Sequence, residues 1–444
     1  MAAPSLRDGI EQAGSPVRLL WKPNAEPWMP EVVDREYTGW RVEQQTWHDG
    51  VTISDLSHHM FDTILEGPDA TRLLSAVSAN NYEKFAIGQA KQFIPVTERG
   101  FIVTDGILLR EAEQKYTLSG IPAAQNWVKY HAEKGGYDVS FVTDPSSKFR
   151  GGGAPTLFRY QIQGPLAADL VARAFGGPLP ETKFFHATPV VLDGRPLRAL
   201  RHGMAGQSGF EFIGAGADAE AVKSALLRAG EPLGLVHVGA QAYATASIES
   251  GWIPSPTPAI YSDPELEDYR GYLPLFGIEG QRPLHGSYFS ENIDDYYVTP
   301  FELGYGRSVA FNHDFIGRDA LQKAKDNTTR TKVTLVFDAD DVRSAIGDDF
   351  VLSYSRHRVE AGSALVGTTQ QSGTLAPAGT ILSLAILDTE HAAPGTSVEV
   401  VWGDHPGAGT APDADLGFPR IRATVAPAPF DEHARTAYRS DKRP

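Results

Sequence analysis

Cysteine is absent from all 444 residues. That excludes disulfides, cysteine nucleophiles, iron–sulfur clusters and cysteine-ligated zinc. It sets no compartment, but it leaves no case for an oxidising one. No apolar run approaches the ~18 residues that a membrane helix requires. The opening segment, MAAPSLRDGIEQAGSPVRLLW, has neither a basic n-region nor an apolar h-region, so no signal peptide is expected. Positive charge is also in short supply: 40 Lys and Arg face 55 Asp and Glu, a formal net charge of −15. Such a surface repels phosphate backbones and anionic membranes, so neither nucleic acid nor membrane is an expected partner. The reading is a cytoplasmic protein, a monomer or a small homo-oligomer.

Hydrophobic residues make up 41% of the chain, enough for large cores in two or three domains. Ser5–Ala13 reads as a short helix, and Val51–Ser54 and Phe61–Leu65 as strands around a His-His pair. A helix over 67–79 follows, with Asp69 near its start and apolar residues at Leu73, Leu74 and Val77. Strands are expected over 91–97, 100–111, 115–120 and 137–144, with a helix over 123–135. The three glycines of FRGGGAP (149–155) mark a linker. After it, FRYQIQGPLAADLVARAFGG (158–177) echoes DTILEGPDATRLLSAVSA (62–79): strand, Gly-Pro, amphipathic helix. This is an internal repeat of two α+β units. From about Thr331 the helices stop, and KVTLVF, TILSLAILDT, TSVEVVWG and RIRATVAP predict an all-β barrel or sandwich. The expected boundaries are 1–150, 151–330 and 331–444.

Several segments could carry chemistry. Gly214-x-Gly216-x-x-Ala219 stands between a strand and a helix, where a pyrophosphate could sit. No acidic residue closes a strand about 20 positions on, so the reading is a Gly-rich turn and not a dinucleotide site. His58 and His59, if in a strand, point to opposite faces and cannot share a metal; no metal is expected. Glu211 alternates with Phe210 and Phe212, which by pattern alone favours a surface carboxylate over an acceptor facing a pocket. The segment 242–261 joins Tyr243, Glu249 and Trp252 to prolines at 254, 256 and 258. It reads as an irregular stretch that serves either core packing or a flat ligand.

Read together, these segments carry a resemblance. DLSHHM (55–60), AKQFIPVTERGFIVTDGILL (90–109), YQIQGP (160–165), LRHGMAGQSGFEF (200–212), SIESGWIPSPTPAIY (247–261) and YYVTPFELGYGRSVAFNHDFIGRDAL (296–321) occur in this order. Together they resemble the aminomethyltransferase superfamily, which includes the T-protein of glycine cleavage. Within it the likeness is to tetrahydrofolate-dependent aryl O-demethylases of the vanillate and syringate type. The resemblance implies an α+β fold of three domains in a cloverleaf: two ferredoxin-like, folate-binding units and a C-terminal β-barrel, with tetrahydrofolate at the centre. It implies that Glu211 accepts the N–H groups of the pterin, that Trp252 flanks the folate, and that Gln92, Asp105 and Gln163 line its pocket. It makes Tyr243 the proton donor or relay to the leaving phenolate, with His59 as an orienting partner. His59, Met60, Leu56 and Ile121 would line the methyl-donor pocket. The iron–sulfur branch carries a cysteine motif that is missing here, and there is no room for the flavin domain of the dimethylglycine and sarcosine oxidases.

One position departs from the vanillate type. Those enzymes place an arginine where this chain has Ile121, within LSGIPAAQNW (118–127). Leu56 and Pro30 likewise stand where they have polar residues. An apolar pocket would bury a carboxylate unpaired, at high cost. The expected substrate is therefore a neutral, guaiacol-like methoxyarene, with a phenol and 5-methyltetrahydrofolate as products. Rival readings are an N- or S-methyl donor, a folate-binding protein without catalysis and, more distantly, a nicotinamide-dependent dehydrogenase.

Overall fold

The repeat seen in the sequence is built on one steric device. The strands Phe61–Glu66 and Leu157–Gln163 each run into a glycine, Gly67 and Gly164, with φ of 156° and 123°. A Cβ at these positions would lie 2.3 Å from the Asp138 carbonyl oxygen and 2.5 Å from that of Gly50. Only glycine permits such an approach. Each chain then enters a helix, Ala70–Ala76 or Ala167–Phe175. The computed structural model that reveals this describes residues 3–254 and 256–440.

In the first unit Phe61–Glu66 pairs antiparallel with Lys115–Gly120 and Ser140–Asp144, and the sheet extends through Gly106–Ala112 to Ala90–Phe93. With the helices Ala70–Ala76 and Pro122–Gly135 the core order is βαββαβ, a ferredoxin-like unit. Its helices bury Leu73, Leu74, Trp127 and Val128 against Leu65, Leu108 and Leu118. The second sheet runs Val236–Val238, Thr52–Asp55, Leu157–Gln163, Gly209–Ala215, Arg195–Leu200, Ala187–Leu192. The first pairing is parallel and the others antiparallel. The strand Thr52–Asp55 therefore lies in this second sheet, and the chain crosses to the first through the turn at 57–59. Helices Ala167–Phe175 and Ala219–Gly230 cover one face, packing Leu170, Val171, Val222 and Leu226 on Phe158, Tyr160, Ile162 and Phe212.

At the C-terminus six strands close on themselves. The ring is Ala364–Leu375, Arg358–Ala361, Ser397–Val401, Arg420–Ala426, Arg330–Phe337, Thr380–Asp388 and back to Ala364–Leu375. Closure removes free sheet edges, and Leu335, Val359, Ile381, Val400 and Ile421 fill the interior. Between Gly251 and Thr329 the helices among the described residues are all short, and Tyr269 of one of them packs on the first unit together with Ile260, Tyr261 and Tyr297 of the irregular stretches. Among the described residues no helix is long and apolar enough to cross a membrane.

Two local expectations are corrected, and one left open is settled. His58 and His59 lie in the turn at 57–59, not in a strand, with the His59 N–H donating to the Leu56 carbonyl at 3.2 Å. The segment around Tyr243 and Glu249 is not irregular: Ala240–Ser250 is a helix, since its alanines precede the first proline, and only the chain after Gly251 is irregular. Beyond Thr331 two short helices do occur, Ala339–Ala345 and Glu432–Thr436, each capped by an aspartate, Asp338 and Asp431. The Gly214–Gly216 turn is steric: a Cβ on Gly216 would meet the Pro155 oxygen at 2.0 Å.

Candidate active site

The strand Leu157–Gln163 alternates two kinds of side chain. Phe158, Tyr160 and Ile162 enter the core beneath the helices, so Arg159, Gln161 and Gln163 share the opposite face. The register places Glu211 and Ser54 beside Gln161 on that face. All are buried, Glu211 to 3% exposure. Glu211 is thus not the surface carboxylate that its alternation alone favours.

Arg159 organises this face. Its Nη1 donates to Glu211 Oε1, and its Nη2 donates to Asp62 Oδ1 and Ser119 Oγ of the other sheet, both at 2.8 Å. Its Nε reaches Asp62 Oδ2 at 3.4 Å, and Ser119 Oγ donates to Asp62 Oδ1. Burial opposes the charge on the guanidinium, but the Asp62 and Glu211 carboxylates outweigh it and hold its pKa above the ordinary value. Beside them, Gln161 and Gln163 accept from the backbone N–H groups of Met204 and Ala205, each at 3.2 Å. Their Nε2 groups are buried without a partner among the described residues. Buried donors are normally satisfied, so these two call for a bound acceptor.

Tyr243 is carried by the helix Ala240–Ser250. It packs with Leu56, Trp40, Trp47 and Ala205, and it is 9% exposed. No hydrogen bond from the described residues reaches its hydroxyl. Burial, and then the Glu211 charge, push its pKa well up, with Arg159 in partial opposition, so the phenol stays protonated. The His59 ring meets Tyr243 edge-on, centroids 4.7 Å apart. Burial lowers the His59 pKa to about 4, which leaves a neutral imidazole, and among the described residues its Nδ1 has no hydrogen-bond partner. Met60 and Ile121 sit together at the end of one ladder, since Phe61 pairs with Gly120.

A second cluster surrounds Asp105. Its Oδ2 accepts from Gln92 Nε2 and Trp252 Nε1, both at 2.7 Å, and from the Tyr305 hydroxyl at 2.5 Å. Among the described residues nothing reaches Oδ1. Burial raises the Asp105 pKa, with the three donors pulling the other way. Next to it Lys332 donates to the Gly251 carbonyl at 2.6 Å, and burial pushes its ammonium down to about 8. So Gln92, Asp105 and Trp252 do converge, Glu211 and Gln163 share one face, and Leu56, His59 and Tyr243 meet. Arg159, Gln161, Asp62, Tyr305 and Lys332 escape the sequence reading. The one available signal was Arg159 itself, the lone charge in a strand whose other residues are apolar, aromatic or amide. Among the described residues no group of three or more metal-ligating side chains is placed to hold a metal ion.

Among the described residues the face therefore offers a carboxylate whose Oε2 accepts no hydrogen bond and two unsatisfied amide donors, and the second cluster offers a carboxylate with one unused oxygen. These are acceptors and donors of the kind a pterin and its amine linkage would engage, so the donor set fits a reduced folate.

A family model described as the GCVT N-terminal domain matches residues 25–255. The chain is 36% identical to the syringate O-demethylase of Sphingobium sp. (strain NBRC 103272 / SYK-6), over 98% of each chain. It is 28% identical to the sesamin methylene transferase of Sinomonas sp. (strain No.22), over 90% of each. The crystal structure of the glycine cleavage system aminomethyltransferase T from Bartonella henselae has the same fold, with a TM-score of 0.63 at 20% identity over 96% of each chain. The chain belongs to the GCVT aminomethyltransferase family. Within that family it is a tetrahydrofolate-dependent methyltransferase with an O-demethylase among its relatives.

Proposed function

We propose that the chain moves the methyl group of a neutral, guaiacol-like methoxyarene to tetrahydrofolate, leaving a phenol. The observation that carries this reading is the Tyr243 hydroxyl: protonated, unpartnered, and enclosed between the His59 ring and the Glu211 face. Aryl methyl ethers resist cleavage because the phenolate is a poor leaving group. Tetrahydrofolate, when bound, supplies a nucleophilic N5 for the methyl carbon. The chain does the rest. Glu211, Gln161 and Gln163 hold the pterin, and Asp105 with Trp252 holds its neighbourhood. The carbon–oxygen bond breaks with its electron pair on the aryl oxygen and Tyr243 Oη delivers a proton there; the proton that N5 would give up on taking the methyl group balances this and returns the tyrosine to its phenol form. General acid catalysis of this kind contributes on the order of 10²–10⁴-fold. His59, neutral, orients the tyrosine or the ether oxygen. Orientation of two bound reactants adds several kcal/mol more.

The neutral substrate rests on Ile121 and Leu56. Leu56 is fully buried beside Tyr243, and Ile121 offers no charge where an arginine would be needed for a carboxylate. The relatives named for syringate demethylation and sesamin methylene transfer support an oxygen-bound one-carbon donor.

The test is anaerobic incubation with tetrahydrofolate and a panel of neutral and carboxylated methoxyarenes, with 5-methyltetrahydrofolate followed by mass spectrometry. Turnover of neutral members is expected. Turnover of carboxylated members alone overturns the pocket reading, and no turnover of any member moves the assignment to an N- or S-methyl donor.

A further inference from the structure

Arg159 lies between two regions that the proposed reaction must hold in register. Its side chain reaches out of the second sheet to Asp62 and Ser119, which pair across the first sheet. Asp62 stands two residues after Met60, and Ser119 two residues before Ile121, so both walls of the donor pocket end on this guanidinium. Its other arm holds Glu211 Oε1. The backbone adds a third link. The Arg159 carbonyl accepts from Leu56 N–H at 2.8 Å, and its N–H donates to Ser57 Oγ at 3.0 Å, which fixes the turn that leads to His59.

One guanidinium therefore faces two carboxylates that belong to different ligand pockets. Its planar fork fixes angles as well as distances, which a lysine ammonium cannot do. A shift of Asp62 tilts the fork and carries Glu211 with it. We propose that Arg159 is the positioning residue that couples the methyl-donor pocket to the folate pocket, so that each ligand tightens the binding of the other. This rests on the folate-dependent reading above. It goes further in assigning to Arg159, Asp62 and Ser119 the relative placement of donor and acceptor. Such placement matters because a misplacement of about 1 Å costs on the order of 100-fold in rate.

The experiment measures tetrahydrofolate affinity by anaerobic calorimetry, with and without catechol, the demethylated form of guaiacol, which occupies the donor pocket without reacting. In the wild type catechol is expected to tighten folate binding at least ~5-fold, within the usual range of coupling. Arg159→Lys keeps the positive charge but not the fork. It is expected to bring that factor to about 1 and to lower kcat about 100-fold. Arg159→Met leaves two buried carboxylates facing each other and can fail to fold. Asp62→Asn keeps the Arg159–Glu211 pair, and its circular dichroism and cooperative melting establish that it is folded before binding is measured. It is expected to abolish the coupling while folate alone binds as in the wild type, a pattern that loss of packing does not produce. Unchanged coupling and kcat in both Arg159→Lys and Asp62→Asn overturn the proposal. A wild type that binds tetrahydrofolate without coupling overturns it as well. A wild type that binds no tetrahydrofolate overturns the folate reading instead.

Discussion

Tyr243 and His59 meet edge to face, their planes inclined at 65°, and among the described residues nothing hydrogen-bonds the Tyr243 hydroxyl or His59 Nδ1. Burial drives both to their neutral forms. A protonated phenol beside a neutral imidazole puts an uncharged O–H donor where negative charge develops on the leaving oxygen. Tyr243→Phe removes the proton and little else. Formation of 5-methyltetrahydrofolate should fall about 10²–10⁴-fold, while the tetrahydrofolate dissociation constant moves by less than about 3-fold. A variant that turns over near the wild-type rate would falsify the proton role.

Glu211→Gln keeps the shape and removes the charge. A hydrogen bond to a charged group contributes about 1.5–3 kcal/mol, so tetrahydrofolate should bind roughly 10- to 150-fold more weakly. Titration of protein fluorescence under anaerobic conditions measures this. Equal affinities would mean that the pterin does not use this carboxylate.

Ile121 decides charge selectivity in this reading. Ile121→Arg places a guanidinium at the end of the Phe61–Gly120 ladder, where a substrate carboxylate could pair with it. The ratio of kcat/KM for syringate to that for guaiacol should rise at least about 10-fold, since a charge-assisted bond is worth ~1.5–3 kcal/mol. A ratio that stays flat would place the substrate ring elsewhere.

His59 sets the low-pH behaviour. With a folded pKa of about 4 it stays neutral through the range in which a free imidazole titrates, so kcat should show no inflection near 6.5 from this residue. An acid limb at 6.5 that disappears in His59→Gln would contradict this.

Lys332 predicts a pH effect on stability. Burial favours the neutral amine, so its folded pKa of about 8 lies below the 10.5 of a free lysine. Below pH 8 both states carry the ammonium, and the folded chain bears the full cost of burying it. Between about 8 and 10.5 the unfolded chain binds more protons, so stability rises with pH. Relative to Lys332→Met, the wild-type melting temperature should therefore gain as pH goes from 8 to 10. A constant difference would show that Lys332 is hydrated.

Local pattern was enough to find the two strand–Gly-Pro–helix repeats, because EGPDA and QGPLA mark a steric necessity that glycine alone meets. It also found the C-terminal β-region, whose strand-like runs are set apart by Pro, Gly and Asp, but not that this region closes into a barrel. It misread the chain around Tyr243, because the prolines at 254–258 were allowed to speak for a helix that ends before them. It set strands on either side of the histidine pair, as found, but left open whether the pair itself continues a strand, because nothing in HHM marks a turn. Period-two alternation puts Arg159, Gln161 and Gln163 on one face but does not say what that face meets. Asp62 and Glu211 stand 149 positions apart, and Asp105 and Tyr305 stand 200 apart, as read from their numbers. What the sequence alone determined is the order of elements and the side chains each face presents. Only tertiary packing decided that Glu211 is buried against Arg159 and that Gln92, Trp252 and Tyr305 converge on Asp105. Burial turns these polar groups from solvated surface into unsatisfied donors and acceptors, and that cost is what makes a ligand site.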